Sequence, residues 1–211
     1  MPAIILIPCK TLRDGKSRLS ACLDHAARHD LCRSLLERTL RCAASVVRSD
    51  QVRIVSADPE AVAMARQHAV GAIADPGFGL NAALEYARAR LRTGMRTDPD
   101  LLVLPIDLPF VTPQCIADVL ACPGKCVIAP DQHGTGTNLL YLRSLASPAF
   151  PFAFGAGSFA AHLARARSHA LTVDIVRDWR LAFDLDAPAD YERWLSRKRE
   201  EPLSAASAVG C

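Results

Sequence analysis

"AIILIPCKTLRDGKSRL", from Ala3 to Leu19, joins a short apolar run to a loop that is crowded with cations. The run from Ala3 to Ile7 is bounded by turn-forming residues, as is typical of a buried strand. Four basic residues then follow within nine positions: Lys10, Arg13, Lys16 and Arg18. The stretch therefore predicts a strand whose carboxyl end carries a positively charged loop.

Apolar runs of the same kind recur along the chain and alternate with segments of helical periodicity. Strands are predicted at Ala3–Ile7, Val52–Ser56, Ala72–Ala74, Leu101–Ile106 and Cys126–Pro130, and later at Leu171–Val176, whereas "NLLYL" (Asn138–Leu142) breaks the pattern. Helices are predicted after Asp24, from Pro59, from Leu80, after Thr112, from about Ser158, and after Asp186. This alternation predicts an α/β fold with a mostly parallel, mixed sheet and helices on both faces.

Length and composition limit the class of protein. The 211 residues, of which 50% are hydrophobic, suffice for one domain, which we assign to residues 1–199, with a flexible tail at 200–211. The net charge of +3 is small and the arginines are dispersed, so nucleic acid is not expected as a partner. No apolar run approaches the roughly 18 residues of a membrane span, and the first residues do not resemble a signal peptide. We therefore expect a cytoplasmic protein without a membrane partner.

Eight cysteines are present, but no two of them form a C-x-x-C pair. Most lie inside apolar runs, which favours reduced thiols over disulfides or a structural metal site.

Function is expected in the loops that follow the strands, because ligands of open α/β sheets bind beyond the carboxyl ends of the strands. These loops contain "CKTLRDGKSRL", "DPGFGLN", "DLP" and "DQHGTGTN". In the first, Gly15, Lys16 and Ser17 match the end of an ATP-binding P-loop, but Lys10 stands where that motif requires its first glycine. Two interpretations remain for this loop: a triphosphate-binding loop of another kind, and a solvated basic turn.

Three aspartates are candidate metal ligands. Asp107 closes an apolar strand, where an unpaired charge is costly. Asp184 and Asp186 alternate with hydrophobic residues, so both side chains point to the same side of an extended segment. Carboxylates suit Mg²⁺, which usually keeps phosphate oxygens and waters in its shell. The alternative for each aspartate is a structural role, such as a helix cap at Asp186.

Seven motifs together resemble one enzyme family: "IPCKTLRDGKSRLS", "VSADP", "DPGFGLNAAL", "LPIDLPFVTP", "APDQHGTGTNLLYL", "FGAGSFAAHL" and "DLDAPADY". They span about Ile4 to Tyr191 and resemble the guanylyltransferases of coenzyme F420 biosynthesis, which have a Rossmann-like, GT-A-type nucleotidyltransferase fold. The resemblance implies Mg²⁺-dependent transfer of GMP from GTP to the phosphate of a small three-carbon acid, with release of pyrophosphate. The acids it implies are 3-phospho-D-glycerate and phosphoenolpyruvate, with 2-phospho-L-lactate as a third option.

The resemblance also implies roles for individual residues. Lys16 and Asp107 are the expected catalytic residues, and the residues expected to hold Mg²⁺ are Asp107, Asp184 and Asp186. Those expected to hold the acid are Thr137, Gly155 and Ser158. The nucleotide-binding candidates are Lys10, Arg13, Lys16, Arg18, Asp75 and Asn81, the last two by position only. One departure is Pro105, because some relatives carry an acidic residue two positions before the aspartate of "DLP".

Partners and competing functions complete the sequence-based expectations. The resemblance suggests a homodimer and contact with the next enzyme of the F420 pathway. Two other functions stay open: a nucleotidyltransferase for molybdopterin or a sugar phosphate, whose usual G-x-G-x-R start is missing here, and a non-catalytic nucleotide-binding protein.

The residues suit the implied chemistry on their own terms. A phosphate monoester has a second pKa near about 6, so an acceptor of this kind arrives ionised and needs no strong general base. Glycines in "GTGTN" and "GAGS" allow backbone N–H groups to approach an anion, and Ser158 opens a helix whose amino end is partly positive. The alternative for these two segments is a pair of tight turns with a helix cap.

Overall fold

A seven-stranded sheet forms the centre of the described part of the chain, which in this computed structural model comprises residues 3–93, 99–144 and 150–205. Its strands are β1 (Ala3–Pro8), β2 (Val52–Val55), β3 (Gly71–Ile73), β4 (Asp100–Val103), β5 (Cys126–Pro130), β6 (Thr137–Leu142) and β7 (Val173–Ile175). Their order across the sheet is β3-β2-β1-β4-β6-β5-β7. Only β6 runs antiparallel to its neighbours among these strands, which confirms the predicted mostly parallel, mixed sheet.

The helices lie where the periodicity predicts them, with one addition. They are α1 (His25–Val46), α2 (Pro59–Gln67), α3 (Leu80–Arg92), α4 (Pro113–Ala121), α5 (Ser158–Ser168), α6 (Trp179–Ala182) and α7 (Pro188–Ala205). The short α6 is absent from the sequence-based prediction; it begins after Asp178, whose side chain accepts a hydrogen bond from Arg180 N–H. Helix α7 continues to Ala205, past residue 200 where the flexible tail is predicted to begin, and 206–211 lie outside the described residues.

Alternate residues of β1 pack on opposite faces of the sheet. Ile5 and Ile7 lie in the cluster formed with α1, α2 and α4, and Ile4 and Leu6 lie in the cluster formed with α3 and α5. All four side chains are buried. A strand covered on both faces has a continuous apolar sequence, which explains the run "AIILI" and confirms that helices cover both sides.

The direction of β6 decides which loops meet. The carboxyl ends of β1 and β4 lie at one edge of the sheet because these strands pair in parallel. Because β6 runs the other way beside β4, its amino end, at Thr137, faces that same edge. The loop after β1, the "DLP" segment after β4 and the "GTGTN" segment before β6 are therefore neighbours.

Across the described ranges, no helix is both long enough and apolar enough to cross a bilayer.

Asp58, in the "VSADP" motif, joins the loop after β1 to helix α2. One carboxylate oxygen accepts hydrogen bonds from the backbone of Glu60 at 2.8 Å and Ala61 at 3.4 Å, which caps α2. The other oxygen accepts the Leu12 N–H at 2.8 Å, 46 positions away in sequence. Leu12 is fully buried, so this bond fixes the start of the basic loop.

Replacing Asp58 by alanine is expected to destabilise the protein by about 1–3 kcal/mol, because it removes a helix cap and leaves a part-buried N–H without an acceptor. Urea unfolding of Asp58→Ala measures the change. Asp24→Ala is the matched control: Asp24 also caps a helix, but it is exposed, and its side chain bonds only to Ala27 N–H in the described structure. Its expected cost is about 0.5–1 kcal/mol, and an equal loss in the two variants would contradict the linking role of Asp58.

Candidate active site

The loop after β1 holds Lys16 in an uncommon backbone conformation. Lys16 has φ 54° and ψ 40°, in the left-handed region, and precedes a 3₁₀ turn at Ser17–Ala21. The preceding Gly15 packs against α1, where an added Cβ would lie 2.6 Å from the sulfur of Cys32. The loop therefore requires glycine at position 15, and its packing directs residue 16 inward. The Lys16 side chain is only 5% exposed.

Lys16 forms ion pairs with two of the three predicted metal ligands. Its Nζ contacts Asp107 Oδ1, and it lies 2.9 Å from Asp186 Oδ1. The Leu185 N–H donates to the Asp107 carbonyl at 3.0 Å, which fixes the two acidic segments side by side. Burial disfavours the charge of Lys16, but attraction to Asp107 and Asp186 outweighs it and raises the pKa of Lys16 above its ordinary value. The ammonium is therefore a permanent charge in this site.

Asp184 is half-buried beside the same group. Burial, followed by repulsion from Asp186, raises the pKa of Asp184 above its ordinary value. Among the described residues, no three His, Cys, Asp or Glu side chains have an arrangement that could hold a metal ion. Lys16 is instead the cation that joins Asp107 to Asp186, and the Mg²⁺ site stays a prediction.

The other basic residues of the loop face solvent. Lys10, Arg13 and Arg18 are exposed, and within the described ranges none of them forms an ion pair. The structure adds one cation that the sequence analysis missed. The Nε of Arg28 on α1 is buried and has no hydrogen-bond partner in the described structure. Burial raises the pKa of Cys32 above its ordinary value, and the charges of Lys16 and, less strongly, Arg28 oppose this rise. Arg28 and Cys32 are four residues apart, so both lie on the side of α1 that faces the loop. This spacing is the sequence signal that could have identified Arg28.

The two nucleotide-binding candidates chosen by position, Asp75 and Asn81, differ in what they contact. Asp75 is half-buried, and its side chain accepts the N–H of Gly77 at 2.8 Å. Asn81 is engaged within the protein: its Nδ2 donates to the Phe154 carbonyl at 2.9 Å, and its Oδ1 accepts the Phe154 N–H at 2.8 Å. Asn81 therefore joins the "DPGFGLN" loop to the segment before α5, with both ends of its amide occupied.

The three residues predicted to hold the acid lie together. The Thr137 N–H donates to Ser158 Oγ at 2.8 Å, and the Phe159 N–H donates to the Thr135 carbonyl at 3.1 Å. These two bonds hold the amino end of α5 against "GTGTN". Gly155 has φ 129°, a conformation that L side chains rarely adopt, and its position is open.

His162 is a second residue that the sequence analysis missed. It is fully buried one turn after Ser158, and its Nδ1 lies 2.9 Å from Thr137 Oγ1. Its Nε2 accepts the Ala153 N–H at 3.0 Å. Burial, assisted by the charge of Arg165, lowers the pKa of His162 to about 4, so the ring is neutral at physiological pH.

Comparison with known proteins assigns the chain to a family. The family described as "Guanylyl transferase CofC like" matches residues 3–196. The chain belongs to the CofC-like guanylyltransferases. It is 40% identical over 197 residues to the phosphoenolpyruvate guanylyltransferase of Rubrobacter xylanophilus, covering 92% of this chain and 93% of that one. It is 42% identical over 195 residues to the enzyme of the same name from Sphaerobacter thermophilus, covering 91% and 92%.

Solved structures agree on the fold of this CofC-like chain. A nucleotidyl transferase from a Methanothermobacter species superimposes with a TM-score of 0.61 at 15% sequence identity, covering 91% of this chain and 95% of that one. The fold is therefore that of the GT-A-type nucleotidyltransferases, as the resemblance implied. The cysteines are free in all seven positions that the structure describes, consistent with the expectation of reduced thiols.

The pKa of His162 predicts a loss of stability in acid. The unfolded chain binds a proton near pH 6.5 and the folded chain only near 4, so the stabilisation is complete above 6.5 and is lost as the pH falls towards 4. We expect His162 to account for a decrease of about 3 kcal/mol in the free energy of unfolding across that window. Urea unfolding from pH 7 to 4.5 measures it, and His162→Gln should show a flatter dependence. The same slope in both proteins would contradict the assignment.

Proposed function

We propose that this CofC-like enzyme transfers GMP from GTP to the phosphate of phosphoenolpyruvate, in coenzyme F420 biosynthesis. The observation that carries the proposal is the buried Lys16 ammonium, held by Asp107 and Asp186 at the sheet edge that also contains Thr137 and Ser158. The choice of acid is supported by the names of the relatives, which are phosphoenolpyruvate guanylyltransferases.

The reaction needs charge stabilisation more than proton transfer. An oxygen of the acceptor phosphate attacks the α-phosphorus of GTP, the bond to the bridging oxygen breaks, and its electrons leave with pyrophosphate. The acceptor is already ionised, so no general base is required. The exposed cations of the loop, Lys10, Arg13 and Arg18, would neutralise the negative charge on the triphosphate, which is the main contribution a protein makes to such transfers. Lys16 would hold the carboxylates of Asp107 and Asp186 in place beside them.

The acidic side of the site fits Mg²⁺ by its donor chemistry. The carboxylates of Asp107 and Asp186 are 40% and 45% exposed, so each keeps an accessible surface while Lys16 is buried behind them. Mg²⁺ prefers such oxygen ligands together with phosphate oxygens and water. No three of the described acidic side chains are arranged to hold a metal ion by themselves. We therefore propose that Asp107, Asp184 and Asp186 hold Mg²⁺ together with phosphate oxygens and water, and that when bound it neutralises charge on the phosphates.

The acceptor would bind at the opposite side of the edge, where Thr137 and Ser158 lie beside the open Gly155. Glycine at this position leaves room for an anion to approach the backbone. A cytoplasmic location, a homodimer and transfer of the labile product to the next pathway enzyme remain part of the proposal.

Turnover with defined substrates tests the function. Purified protein with Mg²⁺ is incubated with GTP and phosphoenolpyruvate, 3-phospho-D-glycerate or 2-phospho-L-lactate, with the next pathway enzyme present to consume the product. We expect the fastest pyrophosphate release with phosphoenolpyruvate, and much slower release when ATP replaces GTP. Release only with a sugar phosphate or a molybdopterin acceptor, or with none at all, would overturn the proposal.

Asp186→Asn should lower kcat by about 10²-fold or more, because it weakens charge stabilisation at the reacting phosphates, and it should raise the Mg²⁺ concentration needed for half-maximal rate. Pyrophosphate release across a Mg²⁺ titration measures both effects. Asp14→Asn is the control, since Asp14 is an exposed carboxylate in the same loop that bonds only to Thr11 in the described structure. Unchanged kinetics in Asp186→Asn would contradict the proposed metal site.

A further inference from the structure

The ring of His162 is fixed in one tautomer by its two hydrogen bonds. The Ala153 N–H can only donate, so His162 Nε2, at 3.0 Å, must carry a lone pair and no proton. A neutral imidazole then carries its proton on Nδ1. The Nδ1–H donates to Thr137 Oγ1, which lies 2.9 Å away.

This direction leaves the proton of the Thr137 hydroxyl without a partner inside the protein. A hydroxyl that accepts from His162 still has one proton to donate, and the described residues offer it no acceptor. Ser158 is in the same state, because its Oγ accepts the Thr137 N–H at 2.8 Å. Two buried hydroxyls therefore lie side by side, each accepting from the protein and each with a free donor.

Two free donors favour a ligand with anionic oxygens. A carboxylate is acceptor-only, with several lone pairs, and charge-assisted hydrogen bonds to it are about twice as strong as neutral ones. In the described structure, Thr137 does not contact the ion pairs of Lys16. The cations therefore lie in the part of the site that is proposed to bind the triphosphate. The hydroxyl pair therefore suits the carboxylate of the acid rather than the nucleotide.

We propose that His162 is a positioning residue, which orients the Thr137 hydroxyl so that Thr137 and Ser158 together donate hydrogen bonds to the carboxylate of the acid substrate. This inference rests on the proposed function. His162 itself does not touch the substrate and transfers no proton, because both of its nitrogens are occupied within the protein.

Two substitutions separate the two hydrogen bonds of the ring. His162→Asn can place an amide N–H near the position of Nδ1 and keep the donor to Thr137. His162→Gln can place a carbonyl oxygen near the position of Nε2, keeping the acceptor for Ala153 N–H but losing that donor. If His162 had a purely structural role, losing the donor to Thr137 would not have a different effect on the KM for the acid from losing the acceptor for Ala153.

The expected result is a split between the two substrates. His162→Gln should raise the KM for phosphoenolpyruvate by about 10- to 100-fold, as expected for a misdirected hydrogen bond to a charged group, and leave the KM for GTP unchanged. His162→Asn should stay closer to the wild type. In a Thr137→Val background, His162→Gln should have no further effect on the KM for the acid, because the hydroxyl that it orients is gone.

A spectroscopic readout checks the hydrogen-bond direction without turnover. Ring ¹⁵N–¹H correlation spectra should show His162 as the neutral Nδ1–H tautomer at pH 7. Three results would overturn the inference: the Nε2–H tautomer, equal KM changes for both substrates, or additive effects of His162→Gln and Thr137→Val. The proposed function would still stand in these cases if the wild type is active. A wild type inactive with every acid would overturn the proposed function, and the substrate role of His162 with it.

Discussion

The ion pairs of Lys16 are the interaction on which the site depends. A single buried ammonium joins a segment that follows β4 to one that precedes α7, at opposite ends of the chain's second half. Removing one partner of such a group leaves an uncompensated charge of the other sign, which is costly away from water. The unusual backbone of Lys16 and the contact of Gly15 with Cys32 both serve to bring this ammonium into place.

The rest of the sheet edge divides into two chemically different halves. One half combines carboxylates and cations, which suits phosphates and a divalent ion. The other half uses hydroxyls and open glycine backbone, with a neutral histidine behind them. The antiparallel β6 makes this division, because it brings "GTGTN" to the same edge as "DLP". The family membership implies a nucleotide and a phospho-acid as substrates, and the proposed function places them on these two halves.

Local signals in the sequence were sufficient for most elements of the fold. The run "AIILI" predicts a strand covered on both faces, and Asp58 and Thr112 each precede a proline that opens a helix, as the structure shows. The short α6 was missed because four residues carry too little periodicity. The family motifs predict that Thr137 and Ser158 lie together, but they do not predict the hydrogen bonds of Asn81 and His162. The two bonds of Asn81, and the bond of His162 to Ala153, each join a side chain to a main-chain group whose position depends on the folded loop, and no residue pattern encodes that position.

The paired hydrogen bonds between Asn81 and Phe154 couple the glycine-rich loop after β3 to the segment before α5. Both bonds form with one peptide backbone residue, 73 positions away, so the two loops must move as a unit or lose both bonds at once. Losing them would cost about 1–3 kcal/mol, comparable to a change in affinity of roughly 5- to 150-fold. A displacement of the glycine-rich turn after β3 would thereby be transmitted to the chain that leads into α5.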